Sequence, residues 1–83
     1  MIVTVKTFAA LREIIGSASV EIDVSSDATV RDVIRGVSER YPGMGIIASQ
    51  IMTAVNMEYV DLDHPVHQND EVALIPPVSG GSK

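Results

Sequence analysis

The C-terminal end of the chain holds the residues whose types and spacing suggest chemistry. Gly80 and Gly81 closely follow a Pro76-Pro77 pair, and the two prolines favour an extended backbone. The six residues from Pro76 to Gly81 span about 20 Å when extended. Because a Gly-Gly segment has no side chains, it can enter a narrow channel and place a carboxyl carbon in a partner's active site.

A carboxyl group in that position needs activation before it can react. A carboxylate is a poor electrophile, and its conversion into an acyl-adenylate would allow sulfur to replace one of its oxygens. The chain contains no cysteine, which excludes a disulfide framework, a thiolate metal site and a cysteine nucleophile. The alternative is an inert, flexible end, which is the more frequent meaning of a terminal Gly-Gly.

The composition fits one small domain. With 83 residues, 46% of them apolar, the chain can build one compact core. The net charge of −5, with only six Lys and Arg, disfavours a nucleic-acid partner and favours partners with basic surfaces. We recognise no signal peptide and no apolar run of the roughly 20 residues that a membrane span needs. We therefore expect a cytoplasmic protein with no membrane partner.

The first half of the chain reads as strand, short helix, strand and long helix. Strands are predicted over residues 2–8 and 20–24, separated by a short helix that ends at Gly16, and the two strands could pair as a hairpin. Apolar residues then recur with helical spacing over residues 30–41. Thr29 precedes this helix in a position that allows a capping box with the acidic residue three positions later.

The second half of the chain is dominated by short strands. Residues 44–50 are expected to form a loop with one turn of helix. Strands are predicted over residues 52–55 and 59–60 on either side of a turn, followed by a polar loop. A last strand over residues 72–75 ends at two prolines, which cannot donate hydrogen bonds to a sheet. This order predicts an α+β domain with a mixed sheet packed on one main helix.

Several blocks of sequence carry a resemblance to a known family. They are Phe8-Ala9-Ala10-Leu11-Arg12-Glu13, Val55-Asn56-Met57-Glu58-Tyr59-Val60, Asp63-His64-Pro65 and Asp70-Glu71-Val72-Ala73-Leu74-Ile75-Pro76-Pro77-Val78-Ser79-Gly80-Gly81. The chain resembles the small, sulfur-carrying subunits of molybdopterin synthase, a ubiquitin-like family. The resemblance covers essentially the whole chain as far as Gly81. The resemblance implies a β-grasp domain over residues 1–77 and a flexible C-terminal tail over residues 78–83.

The resemblance also implies a function. In the family, a ubiquitin-activating-type enzyme uses ATP and magnesium to adenylate the terminal glycine, and a sulfur donor system converts it into a thiocarboxylate. The large subunit of the synthase then transfers the sulfur to cyclic pyranopterin monophosphate, in a heterotetramer with two small subunits. By this resemblance Gly81 bears the sulfur and Gly80, Ser79 and Val78 thread into the partner. The small subunit then needs neither a bound cofactor nor catalytic side chains of its own.

Two features depart from the family pattern. The family normally ends at the second glycine, but Ser82 and Lys83 follow it here, so the Gly81 carbonyl is an amide that cannot be adenylated. Either a protease removes these two residues, or they were added to the natural chain, or the protein is an inactive or specialised member. Asn69 stands where many relatives have glycine, and asparagine tolerates the left-handed backbone that such a turn requires.

Four residues are predicted to contact partners. Strand alternation directs Ile75 to the side of the sheet opposite the core and places Phe8 opposite the core residues of the first strand. Tyr59 lies on a neighbouring strand, so three large side chains are expected to share one exposed face. In the family this face contacts both the activating enzyme and the large subunit, and large apolar residues are typical interface anchors. Arg12 matches a family position where it could pair with a partner carboxylate, although a solvated helix residue is an equal alternative.

Other candidate sites are weaker. His64 and His67 have a spacing that metal ligands use, but they lie in a predicted loop without a fixed helical face, so we expect no metal site. The methionines at 44, 52 and 57 are interpreted as core or turn residues.

Three alternatives to the synthase subunit stay open from the sequence. The chain could carry sulfur for thiamine or another thiolation pathway. It could be a ubiquitin-like modifier that is joined through Gly81 to lysines of other proteins. It could also be an interaction module with an inert tail.

Overall fold

A computed structural model describes residues 1–46 and 50–76. One five-stranded mixed sheet packs against a long helix, which confirms the predicted α+β class. The strands lie side by side in the order β2-β1-β5-β3-β4. The elements are β1 (Ile2–Thr7), α1 (Ala9–Ile15), β2 (Ser19–Asp23), α2 (Val30–Arg40), a 3-10 helix (Pro42–Ile46), β3 (Met52–Val55), β4 (Glu58–Val60) and β5 (Glu71–Ile75).

The core lies between the sheet and α2. The inward-facing residues of β1 and β5 alternate with partly exposed ones, as a sheet with one buried face requires. Val33 and Val37 on α2 are fully buried against this face. At the start of α2 the predicted capping box forms, and the Thr29 N–H donates a 2.9 Å hydrogen bond to the Asp32 carboxylate. The cap satisfies a backbone donor that the first helical turn would otherwise leave free.

The first two strands pair as the expected antiparallel hairpin. The short helix α1 between them ends at Gly16, which adopts a left-handed backbone with φ 82°. The predicted strand over residues 2–8 is one residue too long, because Phe8 lies outside β1. Phe8 has an extended backbone and forms the N-cap of α1. An extended backbone nevertheless keeps the alternation, so Phe8 points to the same side of the sheet as Lys6.

β5 occupies the centre of the sheet, parallel to β1 and antiparallel to β3. The C-terminal end of β5 therefore lies at the same end of the sheet as the C-terminal end of β1, where α1 begins. The turn between β3 and β4 contains only two residues, one fewer than predicted, because Glu58 already pairs with Val55. No helix in the described part of the chain is long and apolar enough to cross a membrane.

Candidate functional site

The last described strand sets the point where the chain leaves the fold. β5 ends at Ile75, and Pro76 is the last residue that the structure describes. The predicted sulfur-bearing residue Gly81 and the threading residues Val78, Ser79 and Gly80 lie outside the described residues, as do Ser82 and Lys83. The division between a domain and a tail at residue 77 stays a prediction. The site can therefore be built from the surface around the chain exit.

The outer face of the sheet is the side that faces away from α2. The strand register shows which side chains lie on this face, because residues paired across neighbouring strands point to the same side. Tyr59 pairs with Ala54, Ala54 pairs with Ala73, and Ala73 pairs with Lys6, so their side chains form a row across four strands. Tyr59 is 68% exposed at one end of this row. The two alanines leave the middle of the outer face shallow.

A second row lies nearer to the chain exit. Ile75 pairs with Met52, and Phe8 follows Thr7, which pairs with Leu74. Phe8 is 48% exposed and Met52 is 54% exposed. The structure thus places the three predicted apolar contacts, Phe8, Tyr59 and Ile75, on one face.

A pocket of about 370 Å³ opens on the outer face beside α1. The side chains of Phe8 and Arg12, two of the predicted partner contacts, both line this pocket. Its lining includes Lys6, Phe8, Arg12, Met57, Glu71 and Ala73.

The charges at this pocket differ from the acidic balance of the whole chain. Lys6 Nζ lies 3.7 Å from a Glu71 carboxylate oxygen, and both side chains are partly exposed, so this ion pair contributes little to stability. Arg12 makes no ion pair with any residue in the described ranges. The uncompensated charge at the pocket rim is therefore positive, which fits a partner carboxylate.

Two exposed methionines were missed as candidate contacts. The sequence predicts that Met52 is a core or turn residue, but it lies on the outer face beside Ile75, because the pairing of β3 with β5 directs it away from α2. Met57 does lie in a turn, as predicted, yet its side chain is 89% exposed and lines the pocket. Met44 is fully buried in the core. Strand alternation from the buried Val55 would have identified Met52.

A hydrogen-bonded cluster at the opposite end of β5 holds the β3–β4 turn in place. The Asp70 carboxylate accepts hydrogen bonds from the Asn56 side chain at 3.0 Å and from the His67 N–H at 2.8 Å. Partial burial raises the pKa of Asp70, but these hydrogen bonds and the nearby His67 side chain outweigh it and lower the pKa below its ordinary value of 3.8. In the described ranges, no group of three or more His, Asp or Glu residues is arranged to hold a metal ion.

Replacing Asp70 with asparagine is expected to lower the free energy of unfolding at pH 7 by about 1–2 kcal/mol, because an amide N–H₂ would face an N–H donor. Because the pKa of Asp70 is lower in the folded state than in the unfolded state, its ionised carboxylate stabilises the folded protein at pH values above the unfolded-state pKa. This contribution to stability is lost as the pH falls through the folded-state pKa. The difference between Asp70→Asn and wild type should therefore vanish in strong acid. Urea unfolding from pH 7 downward measures it.

The exposed Glu13 on α1 provides the control for this prediction, because it makes no described hydrogen bond or ion pair. Glu13→Gln should leave unfolding unchanged at every pH. A difference between Asp70→Asn and wild type that persists undiminished in acid would contradict the assignment of the effect to the ionised carboxylate.

Comparison with known proteins identifies the family and the fold. The sequence pattern of the ThiS family matches residues 5–81. The chain is 42% identical over 77 residues to a molybdopterin synthase sulfur carrier subunit of Dictyostelium discoideum, covering 89% of this chain and 90% of that protein. Its fold is similar to the crystal structure of SAMP1 from Haloferax volcanii, with a TM-score of 0.88 and 34% identity, covering 98% and 100% of the two chains.

A second similar structure contains two kinds of subunit. It is a complex of subunits 1 and 2 of the molybdopterin-converting factor from Helicobacter pylori, whose matched chain is 26% identical to this one with a TM-score of 0.69, covering 98% of this chain and all of that one. The mixed sheet on one main helix is thus the ubiquitin-like β-grasp fold. The family match over most of the sequence and the relatives at this identity show that the chain belongs to the ThiS family.

Proposed function

We propose that this protein carries sulfur as a thiocarboxylate on Gly81 and donates it, as the small subunit of molybdopterin synthase, to cyclic pyranopterin monophosphate. The observation that carries this proposal is the place where the chain leaves the fold. β5 lies in the centre of the sheet and leads toward the Gly-Gly segment from a point beside Phe8 and the pocket. A partner on the outer face would therefore sit next to the point where the chain leaves the sheet toward Gly80 and Gly81.

The reaction on Gly81 divides into two steps. The carboxylate attacks the α-phosphorus of ATP in a ubiquitin-activating-type enzyme, pyrophosphate leaves with its magnesium, and an acyl-adenylate forms. Sulfide that the donor system delivers as HS⁻ then attacks the acyl carbon, the bond to the adenylate oxygen breaks, AMP leaves with both of its bonding electrons, and loss of the S–H proton gives the thiocarboxylate. This chain supplies the acyl carbon and the docking surface, while the bound ATP and magnesium belong to the partner.

The first step requires a free carboxylate on Gly81. In the sequence Ser82 and Lys83 follow it, so the Gly81 carbonyl is part of an amide and has no oxygen that can attack ATP. We infer that these two residues are absent from, or removed in, the active form.

The large synthase subunit is the partner that we assign to the outer face. The similarity to one subunit of the two-subunit Helicobacter pylori complex supports this assignment. Phe8, Tyr59 and Ile75 are exposed or partly exposed apolar side chains on one face, as interface anchors usually are. Arg12 at the pocket rim would pair with a carboxylate of the partner.

The second candidate function is conjugation to proteins. The similarity to SAMP1, whose name stands for a small archaeal modifier protein, favours it. A modifier shares the adenylation step, after which a lysine amine attacks the acyl carbon and an isopeptide bond forms at Gly81. Sulfur transfer to thiamine or to another thiolated product is the remaining alternative.

Reconstitution with purified components separates these functions. The chain ending at Gly81 and converted into the thiocarboxylate should make molybdopterin from cyclic pyranopterin monophosphate when the large subunit of the same organism is added. The same chain with an unmodified carboxylate is the control and should make none. Failure of the thiocarboxylated chain to yield molybdopterin, together with Gly81 isopeptides in the cell, would favour the modifier.

A further inference from the structure

The turn between β3 and β4 has a backbone that its sequence does not favour. Asn56 and Met57 connect the paired residues Val55 and Glu58, and their φ angles are 50° and 73°. A two-residue turn with two positive φ angles has type I′ geometry, for which Asn-Gly is the preferred sequence. Methionine in the second position is disfavoured because its Cβ crowds a backbone carbonyl oxygen.

Strained residues gather around the pocket. Among the described residues, four other than glycine have positive φ, and two of them are asparagines, which tolerate this conformation. The other two are Ala9, which directly follows the pocket residue Phe8, and Met57, which lines the pocket itself. Unfavourable backbone conformations are retained most often at functional sites.

Hydrogen bonds fix the turn that carries Met57. The Asn56 N–H donates to the Glu71 carbonyl oxygen at 2.9 Å, and the Glu71 N–H donates to the Asn56 side-chain oxygen at 3.1 Å. The Asn56 amide group also donates to Asp70 at 3.0 Å. Three hydrogen bonds between Asn56 and residues 70–71 thus fix the backbone from which the 89% exposed Met57 side chain projects.

We propose that Met57 is an anchor for the partner that docks on the outer face, and that the pocket receives an apolar side chain of that partner between Met57 and Phe8. The proposal rests on the proposed function and names the large subunit of molybdopterin synthase as this partner. The pocket has an apolar wall on each side, and Ala73 contributes a small side chain to its lining. Methionine suits such a place, because its flexible thioether adapts to the shape of a contact.

The charges define the chemistry of the partner segment further. Glu71 is already paired with Lys6 at 3.7 Å, whereas Arg12 has no carboxylate partner in the described ranges. A carboxylate next to the inserted apolar side chain fits this rim. The pocket therefore selects a segment that is acidic and apolar, although the net charge of −5 favours basic partners elsewhere on the surface.

Three substitutions of Met57 separate its side chain from its backbone. Met57→Gly removes both the side chain and the strain, Met57→Ala removes the side chain but keeps the Cβ that causes the strain, and Met57→Leu keeps both. Asn69→Gly is the matched control, since Asn69 also has positive φ, at 70°, and does not line the pocket.

Calorimetric titration with the large subunit and thermal unfolding test the proposal. Met57→Ala and Met57→Gly should both raise the dissociation constant about tenfold or more, as loss of an anchor does, while Met57→Leu and Asn69→Gly stay within about threefold. Met57→Gly alone of the Met57 variants should raise the melting temperature, by about 2–5 °C.

The outcomes distinguish the two levels of the proposal. Wild-type protein that does not bind the large subunit overturns the proposed function, and this inference with it. Wild-type protein that binds, with Met57→Ala and Met57→Gly binding equally well, overturns the anchor role alone. A melting temperature that does not rise in Met57→Gly overturns the claim that the turn is strained.

Discussion

A chain that ends at Gly81 is expected to be adenylated by the ubiquitin-activating-type partner, whereas the chain that continues through Ser82 and Lys83 is expected to give no acyl-adenylate. Only the shorter chain has a free carboxylate on Gly81. In the longer chain the terminal carboxylate belongs to Lys83, whose long side chain would have to enter the narrow channel that we propose for Gly-Gly. The expected difference is complete rather than graded, and exchange of labelled pyrophosphate into ATP measures it.

Competition provides the control for this experiment. The longer chain keeps the whole outer face, so an excess of it should inhibit adenylation of the shorter chain by occupying the enzyme. If the longer chain inhibits the enzyme but is not adenylated itself, it still binds the enzyme, and its blocked Gly81 is the reason that it does not react. Equal exchange with both chains would contradict the requirement for a free Gly81.

Two substitutions at neighbouring positions of β5 are expected to affect different properties. Leu74→Ala should mainly lower stability, whereas Ile75→Ala should mainly weaken binding to the large subunit. Leu74 is 0% exposed, so its truncation should lower the free energy of unfolding by about 3 kcal/mol through lost burial and a residual cavity. For a domain of this size, that is a large share of the total stability. Ile75 faces outward and is partly buried, so its truncation should cost less than about 1 kcal/mol but weaken binding to the large subunit about tenfold.

Urea unfolding and calorimetric titration of the two variants check this contrast. Each variant is the control for the other, since both shorten an aliphatic side chain to alanine on the same strand. Equal losses of stability, or wild-type binding by Ile75→Ala, would contradict the division of β5 into a core side and a contact side.

Most of the fold followed from local patterns in the sequence. The helical spacing of apolar residues predicts α2, and the alternation of inward- and outward-facing residues predicts β1 and β5. Gly16 and Thr29 indicate where α1 ends and where α2 begins. These signals are local, because each depends on residues within a few positions of one another. The turn at residues 56–57 was predicted one residue too long, since a three-residue strand such as β4 leaves little alternation to count.

The pocket could not be predicted in the same way. It depends on the parallel pairing of β1 with β5, which brings Lys6 beside Ala73 across most of the chain length. No local pattern specifies which strands become neighbours. The role that we propose for Met57 has one signal in the sequence, which is methionine in place of glycine after Asn56. Only the register of β3 with β4 shows that the turn has two residues and therefore a positive φ at Met57.

The intact mass of the protein purified from the cells that make it tests the central claim most directly. The account predicts a species that has lost Ser82 and Lys83 and has gained about 16 Da on Gly81, the difference between sulfur and oxygen. The extra mass should disappear when the large subunit and cyclic pyranopterin monophosphate are added. A population that keeps Ser82 and Lys83 throughout, with no thiocarboxylate at any stage, would contradict the account.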